Sequence, residues 1–176
     1  IVTIEKQDQP GIEISMSGIK YESIPVDPEN NTAGKAILSL LDTVESKQGF
    51  KVHIEKGIPP GSGIGSSSAS AAAAVVGVNE LLNKPLKNSE LLVHGMAGEA
   101  VASGGFHADN IAPALFGGII LIRSYEPLDI LNLPVPKKLF STAVLPDFIV
   151  NTLDARRMLP KRVPLKSAVE QAGNLA

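Results

Sequence analysis

Apolar and polar residues alternate over Ile1–Glu5 and again over Ile12–Met16, with the turn signal Asp8-Gln9-Pro10-Gly11 between them, so the pattern predicts a β-hairpin. Pro25 to Asn30 reads as loop. The period then changes. Ala33, Ile37, Leu40, Leu41 and Val44 recur at helical spacing behind Asn30, Asn31 and Thr32, three residues able to cap a helix. Gln48-Gly49 ends that helix, and Phe50, Val52 and Ile54 alternate with polar residues as the next strand. A second helix, Ser66 to Leu82, has no charge before Glu80, which predicts that most of it is buried. Asn83 to Lys87 connects it to a third helix, capped by Asn88 or Ser89 and running to about Ser103, with Leu92, Met96 and Ala100 facing inward. The glycine-bounded stretch Gly104 to Gly118 breaks this helix, and Ile119 to Ile122 is an apolar strand. Tyr125 to Pro136 reads as a proline-punctuated connector and Ser141 to Leu145 as a strand. Asn151-Thr152 caps a short helix with Arg156 and Arg157 that Pro160 ends, and Pro164 to Ala176 forms another. The prolines at 134 to 136 mark a domain boundary.

Composition narrows the class. The chain has 176 residues, 44% hydrophobic and 19% charged, enough for a sizeable core. A net charge of −2 gives no nucleic-acid or membrane surface, and the 4% aromatic content without Trp offers no base-stacking platform. The absence of cysteine excludes disulfides and thiolate metal sites and fits a cytoplasmic protein. No signal peptide is visible, and no apolar run reaches the roughly 18 residues of a membrane span. Ile1 starts inside a strand-like run and Ala176 stops inside a helical one, as expected of a chain truncated at both ends. Oligomeric state is not fixed by these features; a homodimer is among the states they allow.

The richest chemistry lies in Pro59-Pro60-Gly61-Ser62-Gly63-Ile64-Gly65-Ser66-Ser67-Ser68, between the Phe50 strand and the Ala-rich helix. A helix start presents unpaired N–H groups and a partial positive charge, which suits phosphate. Alternate glycines let the backbone come close to such a ligand, and the serines offer hydroxyls to phosphate or magnesium. A plain glycine turn with Ser66 as N-cap is the competing reading. A Walker A loop is excluded because no Lys lies between Gly57 and Asn83. A dinucleotide fingerprint needs glycine where Ser66 stands, and no G-x-S-x-G elbow occurs.

Two further features carry chemistry. Glu99 lies three residues after Met96, beside the inward face of its helix, where a carboxylate needs a cation or donors. A rim residue paired with a lysine is the alternative. His107, Asp109 and Asn110 stand together in the second glycine-rich stretch, where bracing of the loop competes with a site role; His53 and His94 are scattered, which speaks against a metal cluster.

The glycine loop resembles the phosphate loop of the GHMP small-molecule kinases. Asn30 to Ala36, Gly98-Glu99-Ala100, Ser103 to Asn110, and Asn151-Thr152 with Arg156 extend the likeness along the chain, toward the homoserine kinase branch. Asn110 stands where many GHMP kinases carry Asp, and this too favours that branch over mevalonate kinase. The resemblance implies an α+β fold. Residues 1–135 would form an ATP-binding domain like domain 2 of ribosomal protein S5, without its first strand. Residues 136–176 would begin an incomplete ferredoxin-like GHMP C-terminal domain. It further implies ATP and Mg²⁺, with Pro60 to Ser68 around the phosphates and Ser67 and Glu99 on the metal. Asn110 would orient the hydroxyl of L-homoserine, with Asn31 and His107 nearby and Thr152 and Arg156 at the substrate carboxylate. Threonine biosynthesis is the implied setting. Another GHMP kinase and a non-catalytic nucleotide-binding module are the alternatives. A serine hydrolase or amidase using Ser66 to Ser68 with His107 and Asp109 is a weaker one.

Overall fold

Strand β3 (Gly49–Lys56) is the middle of the sheet. It pairs antiparallel with β1 (Val2–Gln7), where Ile4 faces Val52, and parallel with β2 (Ile12–Gly18), where Ile14 faces Val52. Phe50, Val52 and Ile54 point to one side and are at most 1% exposed. Lys51, His53 and Glu55 point to the other and face solvent. Three helices cover the apolar side: α1 (Thr32–Thr43), α2 (Ser66–Leu81) and α3 (Asn88–Ser103). The computed structural model describes residues 1–144, 155 and 157–175.

Each helix has a local cause. Asn31 caps α1: its side-chain oxygen accepts from the Ala33 and Gly34 amides at 3.0 and 3.2 Å. Ile37, Leu40, Val75, Val78, Leu91 and Leu92 form the centre of the core, all completely buried. Burial of each such side chain stabilises the fold by about 1.5–3 kcal/mol. The alanines of α2 keep the helices close, and Gly98 brings α3 against α1. A Cβ placed at Gly98 would lie 2.2 Å from the Thr32 carbonyl oxygen. After α3 come a short helix α4 (Ile111–Phe116) and a hairpin of β4 (Ile119–Tyr125) with β5 (Leu128–Leu133). Ile120, Ile122 and Ile130 pack against the core, whereas residues 134–144 and, in helix α5 (Leu165–Leu175), residues 165–174 are exposed.

Five expectations are corrected. Residues 1–16 do not form a hairpin, because β3 inserts between β1 and β2 and takes the hydrogen bonds of both. The stretch Gly104 to Gly118 contains α4, and the connector Tyr125 to Pro136 contains β5, a strand lying between the prolines. Residues 141–144 have no regular structure; Leu145 and the cap Asn151-Thr152 lie outside the described residues. Lys87, not Asn88 or Ser89, is the N-cap of α3, its amide donating to Glu90 Oε2 at 2.7 Å.

His94 is buried between α3 and α1, its Nδ1 2.9 Å from Ser39 Oγ. Burial lowers its pKa from the ordinary 6.5. Below about pH 6.5 the unfolded chain therefore binds a proton that the native state refuses, so stability falls as the solution is acidified. Urea unfolding at pH 7.5 and 5.5 checks this. The drop in unfolding free energy is expected to shrink in His94→Gln, and an equal drop in both proteins would exclude the histidine as its source.

Candidate functional site

Residues 57–65 carry the chain from the end of β3 to the start of α2 and form one wall of a cleft of about 680 Å³. Gly61, Gly63 and Gly65 have φ of 71°, 75° and 76°, a left-handed backbone that costs side-chain-bearing residues about 1–2 kcal/mol. Gly65 is the N-cap of α2 and has no side chain to satisfy the helix start. The first intrahelical bond is the Ala69 amide to the Gly65 carbonyl, so the amides of Ser66, Ser67 and Ser68 have no partner within the helix. The cleft thus meets an uncapped positive helix end. Ser62 Oγ, also on this wall, is buried without a hydrogen-bond partner among the described residues. Both features fit an anion.

The opposite wall comes from α3 and the turn after it. Glu99 is 8% exposed yet lines the cleft, and its Oε2 accepts from Ser68 Oγ at 2.8 Å. Ser103 Oγ donates to the Gly105 carbonyl or the Glu99 carbonyl, each at 3.0 Å, which ties the end of α3 to the glycine turn. His107, Asp109 and Asn110 then reach the cleft. Asn110 is the N-cap of α4 without capping it through its side chain; instead its Oδ1 lies 3.5 Å from where a Gly65 Cβ would be. The Ala108 amide donates to Tyr125 Oη at 3.3 Å, anchoring this turn on β4.

Most of the expected site residues meet in this one cleft: Asn31, Pro60, Gly61, Ser62, Gly63, Gly65, Ser66, Ser67, Glu99, His107 and Asn110 all line it. Two loop members do not. Ile64 projects outward at 54% exposure, and Ser68 is buried behind the wall against Glu99. Asn31 is committed to its cap and, through Nδ2, to the Pro25 carbonyl at 2.7 Å. Thr152 and Arg156 lie outside the described residues. Ser66 Oγ donates to the Ile58 carbonyl at 2.7 Å and Ser68 Oγ to Glu99, so neither hydroxyl is held by a histidine as a hydrolase nucleophile would be.

Sequence reasoning missed Lys56. It ends β3 on the inward side, 6% exposed, where Phe50, Val52 and Ile54 set an apolar alternation. Its Nζ donates to the Ser66 carbonyl at 2.8 Å and Ser70 Oγ at 2.9 Å, and the residue lines the cleft. Burial lowers its pKa, and the charge of Glu99 partly opposes that shift.

For a divalent ion the described residues supply no cluster of three or more His, Cys, Asp or Glu side chains. One buried carboxylate and the Ser67 hydroxyl across the cleft are what Mg²⁺ requires when phosphate oxygens and water complete its shell, so the residues fit.

A model of the GHMP kinase N-terminal domain matches residues 31–118, which hold both walls of the cleft. A protein of Methanococcus vannielii named homoserine kinase is 47% identical over 176 residues, covering all of this chain and 58% of its own length. The crystal structure of homoserine kinase from Cytophaga hutchinsonii superposes with a TM-score of 0.92 at 42% identity, over 99% of this chain and 55% of that one. The mevalonate kinase of Methanococcus jannaschii shares the fold, with a TM-score of 0.59 at 22% identity over 76% of this chain and 45% of its own. The chain thus spans little more than half the length of the two homoserine kinases and less than half of the mevalonate kinase, and it belongs to the GHMP kinase family.

Proposed function

We propose that the protein is a homoserine kinase, transferring the γ-phosphoryl group of ATP to the hydroxyl of L-homoserine in the cytoplasm, within threonine biosynthesis. The observation that carries the phosphoryl-transfer reading is the uncapped start of α2 opening into the cleft opposite buried Glu99. The choice of acceptor is supported by relatives named homoserine kinase at 42–47% identity, against 22% for the mevalonate kinase above. Residues 1–135 then form the nucleotide-binding domain, and residues from 136 onward begin a second one.

Phosphoryl transfer asks a protein mainly for position and charge. The amides of Ser66 to Ser68, the loop backbone around Gly61, Gly63 and Gly65, and the unpartnered Ser62 hydroxyl would receive the β- and γ-phosphates, a reading supported by the uncapped helix start and the left-handed glycines. Ser67 and Glu99 would hold magnesium, which when bound neutralises phosphate charge. Ser68 fixes the Glu99 carboxylate through its 2.8 Å hydrogen bond. Asn110, against Gly65, would orient the acceptor hydroxyl, with His107 in the same wall, Asn31 elsewhere on the cleft lining, and Thr152 and Arg156 assigned to the carboxylate. No strong base is required, because a loose transition state takes little help from removal of the hydroxyl proton.

The test is phosphorylation by the full-length protein of L-homoserine and mevalonate, each with ATP and Mg²⁺, followed through ADP release. Homoserine is expected to be preferred at least 100-fold in kcat/KM. Equal use of mevalonate would remove the assignment, and ATP binding with no turnover of either alcohol would leave a nucleotide-binding module.

A further inference from the structure

We propose that Lys56 is the buried cation of the phosphate site, a positioning residue acting from beneath the first turn of α2. The inference rests on the kinase reading above and adds a residue to it. The loop itself holds no lysine from Gly57 to Asn83, so its own positive charge is limited to backbone dipoles. Lys56 stands one residue before that interval, inward on β3, with its Nζ on the Ser66 carbonyl and Ser70 Oγ.

Two physical costs make this placement informative. The alternation of β3 assigns an apolar side chain to this position, and burying an ammonium there requires oxygen partners. The charge also sits at the N-terminal end of a helix, the pole at which a cation is unfavourable. The ammonium's hydrogen-bond partners are both neutral, the Ser66 carbonyl and Ser70 Oγ. Ser70 Oγ already lies 3.1 Å from the Ser66 carbonyl, so the turn stays bonded without the lysine. An anion in the cleft resolves the conflict: helix end and ammonium then act on it together, in a setting less screened than water. Glu99, on the far wall, is the local negative charge in its absence. Sites that hold like charges near one another at a cost to stability are characteristic of function.

The experiment compares the full-length protein with Lys56→Met by calorimetric ATP titration in the presence of Mg²⁺, by thermal melting and by steady-state kinetics. ATP binding is expected to weaken at least tenfold and KM for ATP to rise in step, with KM for homoserine within twofold. The Tm of the unliganded variant is expected to stay level or rise, since an unfavourable buried charge has gone. Should Lys56→Met not fold, Lys56→Gln, which retains donors without the charge, gives the same measurements with the same expected loss. ATP affinity within twofold of the parent overturns the proposal and leaves the kinase assignment standing. A lowered Tm with the loss of affinity also overturns it and makes Lys56 a fold residue. If the parent protein binds no ATP, the kinase reading falls and this one with it.

Discussion

Replacing Glu99 by glutamine is expected to lower kcat by about 10²- to 10³-fold, equivalent to about 3–4 kcal/mol of transition-state stabilisation, with the fold unchanged. Glutamine has the same shape, and its Oε1 can still accept the Ser68 hydroxyl that now bonds Oε2 of the acid. What disappears is the negative charge facing the cleft from α3. In a site where a divalent ion is held by one carboxylate and one hydroxyl, that charge supplies most of the protein's share of the binding. The apparent requirement for Mg²⁺ should rise together with the fall in kcat. Melting should show only a small change, because relief of the buried carboxylate's desolvation offsets the loss of its attraction for Lys56. Unchanged turnover in Glu99→Gln would take Glu99 out of the reaction and return it to the role of a buried structural acid.

The neighbouring Gly98 gives the second large effect, on stability. Exchange of a helical glycine for alanine usually helps, by about 1 kcal/mol of propensity. At Gly98 the sign is expected to reverse. The new methyl would fall 2.2 Å from the Thr32 carbonyl oxygen and 2.8 Å from Ala36 Cβ, and neither is the tip of a flexible chain. Helices α1 and α3 must part, at a cost of about 3 kcal/mol, the upper range of overpacking. For a chain of this size that lowers Tm by roughly 6–12 °C. Gly173→Ala is the control, being helical and exposed with nothing within 4 Å, and should leave Tm unchanged or raise it. A Gly98→Ala protein as stable as its parent would show that the α1–α3 contact can relax.

The parts of the fold legible in the sequence are those written in local terms. The cap at Asn31, the period of α1 and the strand–glycine–helix order around Gly65 each depend on a few adjacent residues, and each stands as read. Strand partnership is not local. β1 and β2 carry the same alternation and a turn signal between them, but β3, with the stronger apolar face, bonds both edges and displaces the hairpin. β5 was hidden because Pro127 and Pro134 suggest a broken segment, while a strand of six residues fits between them. In the site, Glu99 was visible from its place beside an inward helix face. Lys56 was equally available: counting by two from Phe50 through Val52 and Ile54 lands on a lysine, and a charged residue in an apolar alternation is the signal that it does something. Ser68 comes among the phosphate residues through the family resemblance of the loop, which does not tell which of three serines turns toward the opposite helix.

The central position of β3 also orders events in time. β1 and β2 are synthesised before the strand that joins them, which arrives only after the stretch from Ile19 to Gln48. Until β3 arrives each lacks the partner it has in the fold, and unpaired strand edges favour association between nascent proteins. Closing a loop of that length is slow beside hairpin formation. Helix α1, encoded within the interval and capped by its own Asn31, is the element able to form early and offer Ile37 and Leu40 as a surface on which the late strand can dock.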